Sequence, residues 1–373
     1  MRKVLVTGGS GFIGSHLVDR LVEKGYKVTI FDNLEKQVHP FGLPEYHNLK
    51  AKFIRGDVRK KNVFKDAIKN SDIVVHLAAA VGVGQSQYQI AKYVETNIQG
   101  TANLLDILVN EKHTVKKLLV ASSMSIYGEG LYLCGKCGKV KPPLRDFTDY
   151  NKEKILWEPI CPYCKGSLKP IATTEDTPLM SNSIYAISKK EQEEMSLMIG
   201  KTYGIPVTAL RFFNVYGPRQ SLSNPYTGVA AIFLSRIKNG NPPVVYEDGL
   251  QTRDFIWVGD IVEACILSLE KEQANYQVFN VGSGIPISIV DIAKILIRLL
   301  GIKNLEPAIT CKFRKGDIRH CYADTRKIKK IIGFEPKVPF EQGLKKLIRW
   351  SKTVRSEDKF AKASEELKKK GLI

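Results

Sequence analysis

Nothing in the 373-residue sequence approaches the roughly 18–20 apolar residues that a bilayer-spanning helix needs. The longest candidate, Ile285 to Ile302, is broken by Asp291, Lys294 and Arg298, so no membrane association is expected. A secretory leader is not expected either, because Met1-Arg2-Lys3 runs straight into an apolar segment without a small-residue cleavage region. Glycine (29) and proline (17) are too sparse for a collagen-like or low-complexity chain, and no internal repeat is present. Seven cysteines are too few for a disulfide scaffold, and four of them form two Cys-x-x-Cys pairs. That usage points to a reducing, cytoplasmic setting with a metal site. Acidic residues number 38 against 57 basic ones, leaving a net charge of +19. Such a surplus favours anionic partners, phosphates and nucleotides among them. Much of the lysine is scattered over helix surfaces and the tail beyond Lys352, so nucleic acid is not expected as a partner.

What is present suits a packed core: 43% of the residues are hydrophobic and 25% charged. At roughly 150 residues per domain, the length predicts two domains, or one large α/β unit with additions. Lys3 to Thr7 reads as a buried strand ending in Gly8-Gly9-Ser10-Gly11-Phe12-Ile13-Gly14. Leu17, Val18, Leu21 and Val22 then share one helical face up to Gly25, and a second strand from Tyr26 to Phe31 ends at Asp32. Strand, glycine turn, helix, strand and acid make a dinucleotide site. Gly8 permits the tight turn, Gly11 lets backbone approach a pyrophosphate, and Gly14 lets helix and strand pack closely. The helix N-terminus offers free N–H groups and the positive end of its dipole to the phosphates. Asp32 would accept from a ribose diol and repel a 2′-phosphate, which favours NAD over NADP. Further strands are expected at Phe53 to Val58, Ile73 to Leu77 and Leu118 to Ala121. They would bring Asp57 near the adenine, Ala78, Ala79 and Ala80 against the cofactor, and Ser122 and Ser123 to the ligand-binding edge. For Asp57 the alternative is a helix cap for the segment from Lys60. His76, on a buried strand, reads as a satisfied core histidine.

Tyr185-Ala186-Ile187-Ser188-Lys189 sets a phenol and an ammonium on one helix face. Together with the glycine turn and Ser123, this resembles the Ser, Tyr, Lys triad of the extended short-chain dehydrogenase/reductases, over nearly the whole chain. Arg211 to Pro218 (RFFNVYGP), Arg253-Asp254-Phe255-Ile256, Asn280 to Gly284 (NVGSG) and Arg314-Lys315-Gly316-Asp317 are similar to the sugar-nucleotide epimerase/dehydratase branch. The fold implied is a Rossmann doubly wound parallel sheet with a smaller, discontinuous substrate domain. The resemblance adds Phe12, Ile13, Asn33, Val58 and Asn97 to the cofactor contacts. It assigns Asn214, Arg253, Arg314 and Asp317 to a nucleoside-diphosphate sugar, which guanidinium forks suit. It implies Tyr185 as the base, helped by Lys189, with Ser123 on the reacting hydroxyl. A free phenol titrates near 10, so ionising it at neutral pH takes roughly 4 kcal/mol.

The 4,6-dehydratases that resemble this chain carry Asp-Glu after the Ser/Thr, and the glucuronate decarboxylases keep a Glu there. Here Met124 and Ser125 stand in those places, and neither can serve as the acid or base of an elimination. The added Cys and His of the 3,5-epimerase/reductases are missing too. A 4-epimerase cycle remains, oxidation and re-reduction at C4 with NAD regenerated. Ala78 to Ser86 (AAAVGVGQS) and Ser122 to Tyr132 (SSMSIYGEGLY) look most like dTDP-L-rhamnose 4-epimerases. UDP-glucose/galactose 4-epimerases, an NAD(P)H-dependent 4-keto-sugar reductase and a non-enzymatic NAD-sensing regulator are the alternatives.

Ser123 and Tyr185 stand 62 residues apart, far more than the resemblance implies. The surplus holds Cys134, Cys137, Cys161 and Cys164, two knuckles separated by 23 residues. Such spacing is the zinc-ribbon pattern, with four thiolates for a tetrahedral Zn²⁺ and no open position for chemistry. The expected layout is a NAD-binding domain over 1–211 interrupted by a ribbon-like insert at 131–172. A sugar-nucleotide domain over 212–350, with returns to the main sheet, and a charged helical tail over 351–373 follow. The tail reads as a solvated face. Cys265, Cys311 and Cys321 are expected to pack as small apolar residues. Pro286 to Leu300 reads as one amphipathic helix, and helices around Thr101 to Asn110 and Tyr185 to Tyr203 would pair in a homodimer.

Overall fold

In the computed structural model, which describes residues 2–145, 157–226 and 228–373, short Val-, Ile- and Leu-rich runs lie buried as parallel strands. The chain begins with β1 (Lys3–Thr7), α1 (Phe12–Glu23), β2 (Lys27–Asp32), β3 (Lys52–Arg55), α2 (Lys61–Ile68) and β4 (Ile73–His76). Two short helices, α3 (Val83–Ser86) and α4 (Ile90–Tyr93), lead through a π-helical stretch into α5 (Gly100–Asn110) and then β5 (Lys117–Ser123). The insert contributes β6 (Leu131–Cys134), β7 (Gly138–Val140) and β8 (Leu168–Ile171), an antiparallel sheet centred on β6. After it come α6 (Ile184–Thr202), β9 (Val207–Phe212), β10 (Asn214–Tyr216), α7 (Val229–Lys238), β11 (Val244–Val245), β12 (Thr252–Trp257) and α8 (Val258–Glu270). The chain then forms β13 (Gln277–Val281), β14 (Pro286–Ser288), α9 (Ile289–Leu300), β15 (Ala308–Ile309) and β16 (His320–Cys321). Helices α10 (Arg326–Ile332), α11 (Phe340–Ser351) and α12 (Phe360–Lys369) complete it.

The main sheet has the order β13-β9-β5-β4-β1-β2-β3, and every pair in it is parallel. Strand order reverses between β1 and β4, which puts the topological switch point, where α/β sheets bind ligands, beyond their C-terminal ends. One core cluster joins β1, β2, α1 and α8, and a second lies on the sheet's other face with α2 and α5. The second half builds its own core from α7, α9 and α11 around Phe233, Leu296 and Leu347, beside the small β10-β12-β14 sheet. β13 returns from this half to the edge of the main sheet.

Several expectations change. The strand beginning near Phe53 ends at Arg55, and Pro286–Ser288 pairs with β12 before a helix capped by Ser288 begins. Cys265 and Cys321 are buried, but Cys311 is exposed at a turn, where its backbone φ is 49°. The tail is not a solvated face either. α12 buries Ala363 and Leu367, Arg236 lies 4.5 Å over the Phe360 ring, and Asp358 pairs with Arg236 at 3.1 Å. Heavy charge hid a narrow apolar stripe that docks on the body.

Candidate active site

The glycine turn is built from backbone alone. Gly8 has φ 68°, and a Cβ there would sit 2.9 Å from the Ala78 nitrogen, so both the left-handed turn and the close approach of the segment after β4 require glycine. A Cβ at Gly14 would run into the Gly8 carbonyl and the Gly9 backbone, which α1 must touch to start so near β1. Gly11 caps α1 without any side-chain cap, and a Cβ there would meet only the Gly8 oxygen at 3.2 Å. The first N–H groups of α1 therefore lack a side-chain acceptor in front of Phe12, Ile13 and Gly14, a setting that fits a pyrophosphate.

Asp32 ends β2 and accepts from the Ser10 and Leu34 N–H groups at 3.0 and 2.9 Å, which fixes its carboxylate beside the turn. Asn33 donates to Asp57 at 3.0 Å. Burial pushes the Asp57 carboxyl up, but hydrogen bonds from Arg59 and Asn33 outweigh it and hold the group at about 2. Asp57 caps no helix, since α2 starts after Lys60 without a side-chain cap, and Val58 is buried against α2 and α5. Asn97 accepts from the Ala80 N–H at 2.7 Å and donates to the Ala80 carbonyl and the Ser188 hydroxyl at 3.0 and 2.9 Å. It ties the Ala78-Ala79-Ala80 turn to the helix carrying Tyr185. His76 is fully buried between the Thr7 and Thr101 hydroxyls, at 2.8 and 3.2 Å, as expected of a core histidine.

Ser123 ends β5 and its hydroxyl accepts from the Ser125 N–H and hydroxyl at 3.2 and 2.9 Å. Tyr185 lies in the first turn of α6, started by the Ser183 cap. Burial raises its pKa, and a hydrogen bond with Ser123 works in the opposite direction. The Tyr93 ring stands edge-on to Tyr185 with centroids 6.3 Å apart. Lys189 is 3% exposed, and burial lowers its ammonium to about 7, with Glu193 opposing. Its Nζ donates to the amide oxygen of Gln192, whose own Nε2 has no protein partner. Gln192 was not anticipated. It sits one helical turn beyond Lys189, and an uncharged side chain leaves little trace in a sequence.

The residues expected on the substrate side come from distant segments. The Asn214 Oδ1 is buried without a protein partner beside β12, so it can receive a ligand donor. Arg253 donates to the carbonyls of Thr252, Ile318 and Arg319 at 2.8, 2.6 and 3.0 Å, so its charge is held by dipoles. Arg314 pairs with Asp317 at 2.7 Å and lies 5.6 Å over the Tyr246 ring. Asp317 thus orients Arg314, while burial lowers the pKa of Arg253 with the Asp317 carboxylate opposing it. The tail closes one side. Glu366 accepts from the Tyr88 and Tyr226 hydroxyls at 3.0 and 2.7 Å, and Leu367 lies against Gly84.

In the insert, the sulfurs of Cys134, Cys137, Cys161 and Cys164 all lie within 4.8 Å of one another, with Cys134 and Cys164 at 3.5 Å. All four are free thiols. Backbone hydrogen bonds from Cys137 and Lys136 lower the Cys134 thiol to about 6. A tetrahedron with metal–sulfur bonds of about 2.3 Å has edges of about 3.8 Å, so this donor set fits a four-thiolate ion.

Residues 4–171 match the NAD dependent epimerase/dehydratase family, and residues 164–347 match the GDP-mannose 4,6 dehydratase family. The chain is 33% identical over 355 residues to a dTDP-L-rhamnose 4-epimerase of Burkholderia thailandensis, covering 94% of each. It is 32% identical over 368 residues to a UDP-N-acetyl-α-D-glucosaminuronate decarboxylase of Bacillus cytotoxicus, covering 95% of this chain and 99% of that one. Among solved structures, UDP-glucose 4-epimerase of Thermotoga maritima with UDP-glucose superposes with a TM-score of 0.76 at 31% identity, covering 94% and 99% of the two chains. Likeness that runs through cofactor turn, triad strand and substrate half alike makes this chain a member of the NAD dependent epimerase/dehydratase family of extended short-chain dehydrogenase/reductases.

Proposed function

We propose that the protein is an NAD-dependent 4-epimerase of a nucleoside-diphosphate sugar, with dTDP-L-rhamnose as the favoured substrate. The observation that carries the reaction is the neighbourhood of Ser123. The hydroxyl of Ser125, where an elimination would need an acid, is spent on Ser123 itself. The carboxylates of Glu129 and Glu193 are engaged by Arg145 and Arg211. With no carboxylate at positions 124 and 125 to serve loss of water or carbon dioxide, oxidation and reduction at C4 are the favoured reading.

NAD, when bound, supplies the acceptor and later the donor of the C4 hydrogen. Ser123 holds the reacting hydroxyl, and Tyr185 takes its proton and returns it after the 4-keto sugar has turned over in the site. Burial keeps the phenol protonated in the free protein, so positive charge from Lys189 is needed to make it a base. Asn214, Arg253 and Arg314 hold the diphosphate while the sugar turns. Gly8 to Gly14, Asp32, Asn33, Asp57, Val58, Ala78 to Ala80 and Asn97 form the cofactor site. The four insert thiolates hold a structural zinc ion, as their mutual distances support. Ile90, Val94, Ile187 and Met198, exposed on α6 and the helices before α5, support a homodimer. Light scattering would check that, and we assign the protein to the cytoplasm.

Incubation of dTDP-rhamnose and UDP-galactose with the enzyme and no added NADH should give the C4 epimer of one of them by NMR. If neither changes at C4, the reading is wrong. Obligatory NADPH consumption would instead mark a 4-keto-sugar reductase.

A further inference from the structure

The insert does more than leave and rejoin the chain between Ser123 and Tyr185. At its base, Gly130 and Thr173 donate backbone hydrogen bonds to the carbonyls of His320 and Tyr322, at 2.8 Å each. Beside that seam lies Glu129, 1% exposed, held by the Tyr132 hydroxyl of β6 at 3.0 Å. Glu129 accepts from the Arg319 and His320 N–H groups at 2.7 and 3.3 Å. The other side of the insert supplies Arg145, which reaches Glu129 at 3.2 Å, forks onto Glu247 at 2.9 and 3.1 Å, and donates to the Asp317 carbonyl at 3.3 Å. Its guanidinium also lies 4.6 Å over the Phe313 ring. Glu158, just before the second knuckle, pairs with Arg319 and accepts from His320 at 3.0 Å.

These contacts converge on residues 313–320, and this strip is the one that presents Arg314 and whose carbonyls at 318 and 319 cradle Arg253. Two buried guanidiniums, Arg145 and Arg319, face two buried carboxylates, Glu129 and Glu247, with Asp248 and Glu158 at the rim. Buried charges of this kind tolerate one arrangement, because moving any member strands another in a low dielectric. The knuckles matter because Cys134 ends β6, two residues beyond Tyr132, and β6 pairs on both sides with the strands of the same small sheet. Leu131 and Tyr132 are buried at the base of that sheet, but its knuckle end has a buried cluster of only Cys134, Cys161 and Val140 with Leu168 beside it. An ion held by the four sulfurs would supply the rigidity that this end lacks.

We infer that the four-cysteine insert is a brace for the diphosphate-binding arginines, with Glu129, Arg145 and Glu158 as positioning residues that transmit its shape to the 313–320 strip. This rests on the reading that Arg253 and Arg314 hold a nucleoside diphosphate. The insert sets affinity for the nucleotide part of the substrate and leaves the proton transfer at Ser123 and Tyr185 to the main sheet.

The test uses the full-length protein, with UDP and dTDP as probes in titration calorimetry. Three forms are compared: zinc-loaded, stripped with a thiol-competitive chelator, and Arg145→Met with zinc retained. Stripping and Arg145→Met should each weaken binding of the preferred diphosphate at least tenfold, and re-addition of zinc should restore only the stripped form. In turnover, KM should rise by a similar factor while kcat changes less than threefold and the content of bound NAD stays the same. Glu158→Gln, at a half-exposed site, folds more safely and should weaken binding about threefold. Equal diphosphate affinity in all forms would overturn the brace and leave the epimerase reading intact. If the zinc-loaded wild type binds neither UDP nor dTDP, the substrate reading itself fails.

Discussion

The cofactor side and the substrate side of the crevice are held together by different means. Around Gly8 to Asp32 the polar contacts are short in sequence and made mostly by backbone, as in Gly11 to Gly8 and Ser10 to Asp32, 22 residues apart. Around Arg253 and Arg314 they are charged, buried and remote, with Arg319 bonded to Glu129 across 190 residues and Arg145 to Glu247 across 102. Backbone turns need few residue types and tolerate no side chain. A buried charge network tolerates no missing member. The cofactor side should therefore fail by steric collision and the substrate side by stranded charge.

The largest effect is expected at Glu247. Glu247→Ala leaves Arg145 and Arg319 undercompensated, which should cost about 4 kcal/mol in urea unfolding while the cofactor turn is untouched. A loss below about 1 kcal/mol would mean that the network is wetter and looser than the buried distances indicate.

Next comes Lys189, where the two sides meet. Its ammonium titrates at about 7 when folded and at the ordinary 10.5 when unfolded. Between those values the unfolded chain holds more protons, so stability rises with pH; below pH 7 the two states are protonated alike and this dependence vanishes. From pH 7 to 9, two units at about 1.4 kcal/mol each, the cofactor-free wild type should gain roughly 2–3 kcal/mol relative to Lys189→Met. Parallel stability curves for the two proteins would contradict a desolvated ammonium.

Gly14→Ala tests the cofactor side by collision. The added methyl meets the Gly8 carbonyl, so α1 must shift away from β1, at about 2 kcal/mol, with loss of bound NAD. Full NAD retention, read from absorbance of the denatured supernatant, would show that the turn has slack. The smallest effect belongs to the tail. Glu366→Gln keeps an acceptor for Tyr88 and Tyr226 but removes the charge, and about 0.5–1 kcal/mol of thermal stability should go with it. No change in melting temperature would make that contact incidental.

Legibility followed the same divide. The strand, glycine turn, helix and Asp32 could be read because each signal sits within one supersecondary unit and reports a backbone need. Tyr185 and Lys189 were legible as a pair on one helix face, and the paired cysteines by their spacing. Asp317 was expected to face the substrate and instead pairs with Arg314, since a carboxylate and a guanidinium in one loop can face each other or a ligand. Arg145, Glu129, Glu247 and Arg319 look in sequence like ordinary surface charge. The docking of α12 was hidden for a related reason: three apolar contacts among many lysines resemble a solvated helix until the groove that receives them exists.

By itself the sequence determined the parallel sheet, the glycine turn after β1 and the pairing of Tyr185 with Lys189 on one helix face, because local sterics and helical spacing act at short range. Tertiary structure alone decided which charges are buried together, that Gln192 holds Lys189, and that the insert between Ser123 and Tyr185 grips the 313–320 strip. Those outcomes depend on desolvation, and desolvation exists only once distant segments have closed over one another.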